Sequence, residues 1–504
     1  MKKLFYNGKI ITMVNNKVKN NVLIANDKII GIDVLENKID KYLKINLNGK
    51  TLLPAFIDSH SHLSSLASSF LQIDLSNATS FNDIINLIKD YKISNSLNDS
   101  DWLVGISFDI NKLSEKEIPT KDILDVISNP IVISHISGHY GVFNTKAMIS
   151  LNINSDTVIL KEEDYFKNIK QIPLPITSLI LSAYQKAQYE YVKNGIVVVQ
   201  DFYFVKEMIP LYKSIITNNI LYLDVVIYPE VSIYNEIVDT FKKTKVKIGG
   251  IKVILDGSLL TNTALVSSNY KNTLDFGKLL VSKEFLVNAI KKALNENIQL
   301  IVHTSGDEAI KVFLDLLETF PKEEIKKQRF VLIHAHLLTK KELKRVKELS
   351  LIVSFFIGHI YHFGDFHIKN LGFYRASNLC IANSTLHKKI IFTIHQDTPV
   401  IKPNMLESIW TSVVRKTKNN IVLGENEQIE VIDSLKAVTI NAAYQLQEEK
   451  RIGSIEIGKQ ADFVILDENP LEVSKNSIKD IKVLETIKDG FTIYIKVRYK
   501  VKIN

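Results

Sequence analysis

An α/β fold, a distorted (β/α)8 TIM barrel with a small β-sandwich domain built from both chain termini, is predicted by three observations. Eight apolar runs of strand length recur through the middle of the chain, several of them separated by helical segments. Both chain ends carry the two-residue alternation and turn signals of β structure. No Gly-x-Gly-x-x-Gly follows any of the strands, which argues against an open doubly wound sheet that binds a dinucleotide.

At 504 residues the chain exceeds one ordinary domain. Hydrophobic content of 46% with 23% charged residues is that of a globular protein. The net charge of +8 comes from 63 basic against 55 acidic residues. The basic clusters, such as Lys242-Lys243-Thr244-Lys245 and Lys326-Lys327-Gln328-Arg329, are short and scattered, so nucleic acid is not an expected partner. A single cysteine, Cys380, rules out a disulfide framework and suits a reducing compartment. Met1-Lys2-Lys3-Leu4-Phe5-Tyr6-Asn7 turns polar too soon for a signal peptide. No apolar run approaches the ~20 residues of a membrane span. A cytoplasmic location without membrane contact is therefore expected.

In chain order, Leu4 to Tyr6 and Lys9 to Val14 flank Asn7-Gly8, a hairpin signal; Val22 to Ala25 and Ile29 to Ile32 flank a turn at Asn26-Asp27. Near the other end, Ala461 to Asp467 is strand-like, and apolar or aromatic residues fill the odd positions from Ile493 to Ile503. Residues 1–53 and 440–504 are thus assigned to the β-sandwich and 54–439 to the barrel. Within the barrel, 64–185 is an inserted segment expected over the active site. Ser80-Phe81-Asn82-Asp83 is a capping box opening a helix there, and Trp102 to Phe108 and Pro130 to His135 are strand-like. The barrel strands are the run ending at Ile57, then Gly195 to Phe202, Leu223 to Tyr228, Gly250 to Leu255, Ile298 to His303, Arg329 to His334, Leu351 to Phe356 and Ile390 to His395. Lys283 to Glu296 is one of the intervening helices, and Thr339-Lys340-Lys341-Glu342 is a second capping box.

Active sites of such barrels lie at the C-terminal ends of the strands. His60 and His62 stand one residue apart after the first strand, so on an extended chain they point to the same side. Two imidazoles converging in this way suit a divalent metal. Further strand ends carry His303-Thr304-Ser305-Gly306-Asp307, His334-Ala335-His336 and His395-Gln396-Asp397-Thr398-Pro399. Histidines or an aspartate at four strand ends, all facing one rim, are hard to explain by packing. Lys252 lies inside a strand that should be buried, where an isolated ammonium loses its proton or finds a partner. Two roles follow: a neutral amine that reacts with carbon dioxide to give an anionic carbamate, or a lysine paired with Asp256.

These motifs, with Leu53-Pro54-Ala55-Phe56-Ile57-Asp58-Ser59, Ser137-Gly138-His139, Ile251-Lys252-Val253-Ile254-Leu255-Asp256-Gly257-Ser258 and Gly453-Ser454-Ile455-Glu456-Ile457-Gly458-Lys459-Gln460-Ala461-Asp462, resemble the amidohydrolase superfamily. Within it, the chain looks like the amidohydrolase 3 group containing N-substituted formamide deformylase-like enzymes. The resemblance implies metal ligands at His60, His62, Lys252, His303, His334 and Asp397. It implies one or two divalent ions, commonly zinc, with Lys252 as a candidate for N6-carboxylation. His334 is preferred to His336 because the family motif places the ligand directly at the strand end.

The implied reaction is hydrolysis of a non-peptide C–N bond by metal-activated hydroxide, with Asp397 as ligand and general acid-base. A linear amide such as an N-substituted formamide is the expected small-molecule substrate. Cyclic amide hydrolysis, ring deamination and a catalytically inactive scaffold are the alternatives. His139 and His336 are candidates for oxyanion stabilisation. His359 and His362 are expected to line the pocket, and His367 either lines it or serves packing. Family sequences usually carry a Gly-Ser or similar pair where His395-Gln396 stands here, which leaves the role of that pair open. Barrels of this type often self-associate, so a homo-oligomer is expected.

Overall fold

The computed structural model describes residues 2–34, 42–136, 140–154, 158–242, 244, 246–271 and 273–496. The chain divides into two compact units, Met1–Leu63 with Gln188–Asn504, and Ser64–Ala187.

In the larger unit, strands from the two chain ends pair into one eight-stranded sheet. Thr51–Pro54 joins the two halves, running parallel to Lys2–Ile11 and antiparallel to Phe463–Leu466. Its apolar face packs Phe5, Ile10, Val22, Leu52, Phe463 and Ile465 together. Asn26-Asp27 closes a hairpin in which Ala25 faces Lys28, with Asn26 in the left-handed region at φ 53°. The Asn7-Gly8 hairpin does not form. Lys2–Ile11 is one strand, and the pair sits at a bulge between Tyr6 and Ile10. There the donors Gly49 N and Lys9 N bond to Asn7 O and Lys50 O, so contact with residues 47–50 overrides the local turn signal. At the other end Phe491–Ile495 pairs with Val483–Lys488. The rest of the alternation predicted to Ile503 lies outside the described residues.

The apolar stretch before His60 is two strands. Thr51–Pro54 belongs to the terminal sheet, and Phe56–Ile57 pairs parallel to Ile196–Phe204. Parallel pairing continues through Asp224–Pro229 to Lys247–Ile248. After Gly249 a second parallel run begins: Gly250–Ile254, Gln299–Thr304, Val331–His334, Ile352–Phe355 and Phe392–Ile394. Gly249 is required at this break, because a Cβ there would lie 2.2 Å from the Tyr228 ring. The runs meet at both edges: a bridge joins Glu230 to Lys252, and Asp397 N donates to His60 O at 3.2 Å. Ile57, Val198, Val226, Ile301, Val331, Ile333 and Ile352 fill the space between strands, each contributing about 1.5–3 kcal/mol by burial. Parallel strands covered on both faces read as continuous apolar runs, which is why these were legible.

The expected helix from Lys283 is present as Lys283–Asn295, capped by Ser282. The second capping box is not. Thr339 O accepts from Glu342 N in a turn, and the helix Leu343–Glu348 starts after it without a side-chain cap.

Ser64–Ala187 contains a five-stranded sheet ordered Ile159–Lys161, Tyr140–Phe143, Ile131–His135, Leu103–Phe108, Ile73–Asp74. Its helix Phe81–Ser94 is opened by the expected box: Ser80 Oγ accepts from Asp83 N at 3.1 Å, and Asp83 accepts from Thr79 N at 2.8 Å. No described helix is long and apolar enough to cross a membrane.

Candidate metal centre

His60 and His62 follow the short strand Phe56–Ile57, and Asp397 follows Phe392–Ile394. Backbone bonds from Asp397 N to His60 O and from His62 N to Thr398 O stitch these two strand ends together. The result is convergence on one oxygen: His60 Nε2 and His62 Nε2 each lie 3.1 Å from Asp397 Oδ1. Asp397 reaches that position with φ at 54°, a backbone conformation costly for a residue with a side chain and held here by the stitching bonds. His334, the last residue of Val331–His334, places its ring 5.0 Å from that of His60 and 4.4 Å from that of His303. Two sets of donor atoms lie within 4.8 Å of one another: His60, His62 and Asp397, and His60, His334 and His395.

Lys252 points into the same region from Gly250–Ile254. Its Nζ is buried without a hydrogen-bond partner, 4.9 Å from the centre of the Phe202 ring. Phe202 in turn stacks on Tyr228 and packs edge-on against His60. Burial brings the lysine down to about 7, opposed only in part by Asp397. The Lys252–Asp256 pair does not form. Asp256 instead accepts from the backbone N–H groups of Ser305, Gly306 and Leu265 at 2.9, 2.9 and 3.1 Å, which ties the turn after His303 to the loop after Lys252. His303 Nε2 donates to Gly257 O at 3.1 Å, which leaves Nδ1 as its free lone pair.

The electrostatics suit a cation. Burial first, and Lys252 second for His60, hold His60 and His334 well below the usual histidine range, so both rings are neutral. Burial pushes Asp397 up, but its contacts with His60 first and then His62 hold it well below the usual carboxylate range. One ionised carboxylate among neutral imidazoles is a donor set for a divalent ion. Buried polar atoms normally have partners, yet Lys252 Nζ, His60 Nδ1 and both ring nitrogens of His336 have none among the described residues. The unsatisfied Lys252 amine, coupled to a carboxylate that two imidazoles share, is the fit expected of a metal centre.

The other predicted residues divide. His336 is buried and lies 4.0 Å, ring to ring, from His359. His359 Nδ1 is 2.9 Å from His367 Nε2. The helix Gly358–Leu371 carries both, eight residues apart and on one face. His362 leaves that group and pairs with Glu407 at 2.7 Å. His139 lies outside the described residues. His395, whose role the sequence left open, sits among the donors. Its two-residue spacing from Asp397 is the same signal that marked His60 and His62. Glu407, near the start of Met405–Val414, had no sequence signal.

Comparison with known proteins agrees with this architecture. A family model described as "Amidohydrolase family" matches residues 44–494. The putative amidohydrolase YtcJ of Bacillus subtilis is 25% identical, over 98% of this chain and 100% of its own. The N-substituted formamide deformylase of Arthrobacter pascens is 22% identical, over 89% of each chain. The crystal structure of an uncharacterized metal-dependent hydrolase from Pyrococcus furiosus superposes with a TM-score of 0.79 at 24% identity, covering 94% of this chain and 100% of that one.

Proposed function

Because the chain belongs to the amidohydrolase family, we propose that it is a metal-dependent hydrolase that cleaves a non-peptide C–N bond, with a linear N-acyl amine, above all an N-substituted formamide, as substrate. The observation that carries the reading is the placement of His60 and His62 at 3.1 Å from one Asp397 oxygen, beside a buried, unpartnered Lys252. The full-length similarity to a formamide deformylase supports the substrate class. On this reading the two parallel runs form a distorted (β/α)8 barrel and the terminal sheet a β-sandwich domain. The buried single cysteine, Cys380, suits the reducing cytoplasm.

His60, His62, Lys252, His303, His334 and Asp397 would hold one or two divalent ions, zinc above all. Such an ion would supply Lewis acidity, acidifying a water toward ~7 and polarising the acyl oxygen. The rest is done by the chain. Asp397, held ionised, takes a proton from the attacking water and returns it to the leaving amine nitrogen. Water adds to the acyl carbon and the C–N bond breaks, giving a carboxylic acid and an amine. His336, with both ring nitrogens free, donates to the oxyanion. Lys252 Nζ adds to carbon dioxide with loss of a proton, and the carbamate completes the anionic ligand set.

A panel of N-formyl and N-acyl amines, assayed with the zinc-loaded protein for released acid and amine, tests the proposal. Formate release from an N-substituted formamide is the expected result. Ammonia release from a ring amine with no amide turnover would move the chain to the deaminases.

A further inference from the structure

A buried chain of hydrogen bonds runs across the last three strands of the second parallel run. Ser59 Oγ donates to Ile394 O at 3.4 Å and lies 3.3 Å from Ser354 Oγ. Ser354 Oγ is 2.8 Å from His395 Nδ1, and His395 Nε2 is 3.1 Å from His334 Nδ1. Ser59, Ser354 and His395 are fully buried and His334 nearly so.

Such a chain has two polarities. If Ser59 gave its proton to Ser354, Ser354 would give its own to His395 Nδ1. His395 Nε2 would then donate to His334 Nδ1, and the remaining proton of His334 would sit on Nε2. That arrangement leaves His334 no lone pair for a metal. A carbonyl oxygen can only accept, and Ile394 O takes the Ser59 proton. Ser59 Oγ then accepts from Ser354, Ser354 Oγ from His395 Nδ1–H, and His395 Nε2 from His334 Nδ1–H. His334 Nε2 is left bare.

The geometry points to His395 as a positioning residue: together with Ser354 and Ser59 it fixes His334 in the tautomer that presents Nε2 to the metal. This rests on the reading of His334 as a ligand. It also gives a reason for a histidine before Gln396-Asp397: an imidazole spans the gap between the Ser354 hydroxyl and the His334 ring, which a short side chain could not. Partners of this kind usually fix the orientation of a metal-bound histidine, and losing one weakens binding about 10- to 100-fold.

Zinc affinity of the full chain, measured by competition with a chromophoric chelator, tests the assignment. His395→Leu and Ser354→Ala should each weaken zinc binding about 10- to 100-fold, whereas His395→Gln, whose side-chain oxygen can accept from His334 Nδ1–H, should stay within about threefold. In the zinc-loaded wild type, ¹⁵N spectra should show His334 protonated at Nδ1 and metal-bound at Nε2, assigned by its absence from His334→Gln. Zinc bound through His334 Nδ1 would overturn the assignment, as would wild-type affinity in folded Leu and Ala variants. If those variants do not fold, the wild-type spectrum decides alone. A wild type that takes up no zinc would remove the metal reading and this inference with it. A zinc-binding wild type with the opposite tautomer would remove only this inference.

Discussion

Lys252 Nζ stands over the Phe202 ring at 4.9 Å, buried and without a hydrogen-bond partner. An ammonium in that position gains a cation–π contact of about 2 kcal/mol, less than the several kcal/mol its desolvation costs. Burial accordingly brings the group to about 7, where a large share is neutral amine. Zinc loading in ¹³C-bicarbonate should therefore produce a carbamate resonance in the wild type and none in Lys252→Met. An unlabelled wild type with full zinc content would leave Lys252 as a plain amine.

Asp397→Asn should keep the fold and lower kcat/KM by about 10²–10⁴, the usual contribution of a positioned acid-base group. The substitution removes the carboxylate that His60 and His62 share but not the backbone bonds that place it. Activity within tenfold of wild type would take Asp397 out of its role.

What the sequence revealed and concealed follows from the range of the contacts involved. His60 and His62 were legible because two-residue spacing on an extended chain is a local property. The contact between His334 and His395 depends on strands 61 residues apart lying in register, which no local pattern states. Asn7-Gly8 misled for the opposite reason: a sound local turn signal was overridden by the segment Leu47–Lys50 lying against it. The grouping of His359, His362 and His367 was visible, but only the packed helix separates His362, paired with Glu407, from the His336–His359–His367 stack.

His367 makes a prediction on pH. Burial holds it neutral, down to about 4 from the usual 6.5. The unfolded chain therefore binds a proton at this site between those values and the folded chain does not, so the group's contribution to stability is full above 6.5 and lost as pH falls toward 4. His367→Gln should make the acid-side decline shallower by up to ~1.4 kcal/mol per pH unit in that window. Denaturant unfolding of the metal-free protein at stepped pH measures it, and parallel curves for the two proteins would contradict it.

Gly306→Ala should destabilise the fold by about 1–3 kcal/mol or more. A Cβ at Gly306 would lie 1.9 Å from Leu265 O, and the same turn holds Asp256 through Gly306 N. Thermal unfolding should show a lowered Tm and weakened zinc retention together. An unchanged Tm would mean that the loop yields without consequence.

The proposed chemistry requires His60, His62 and Asp397 to close around a metal. Anomalous scattering from a crystal of the zinc-loaded protein, recorded above and below the zinc edge, tests it most directly. A peak bonded to His60, His62 and Asp397 is expected, with Lys252 and the strand-end histidines within reach of it or of a second peak. Full zinc content with no peak at those three residues, or a peak only elsewhere on the chain, would contradict it.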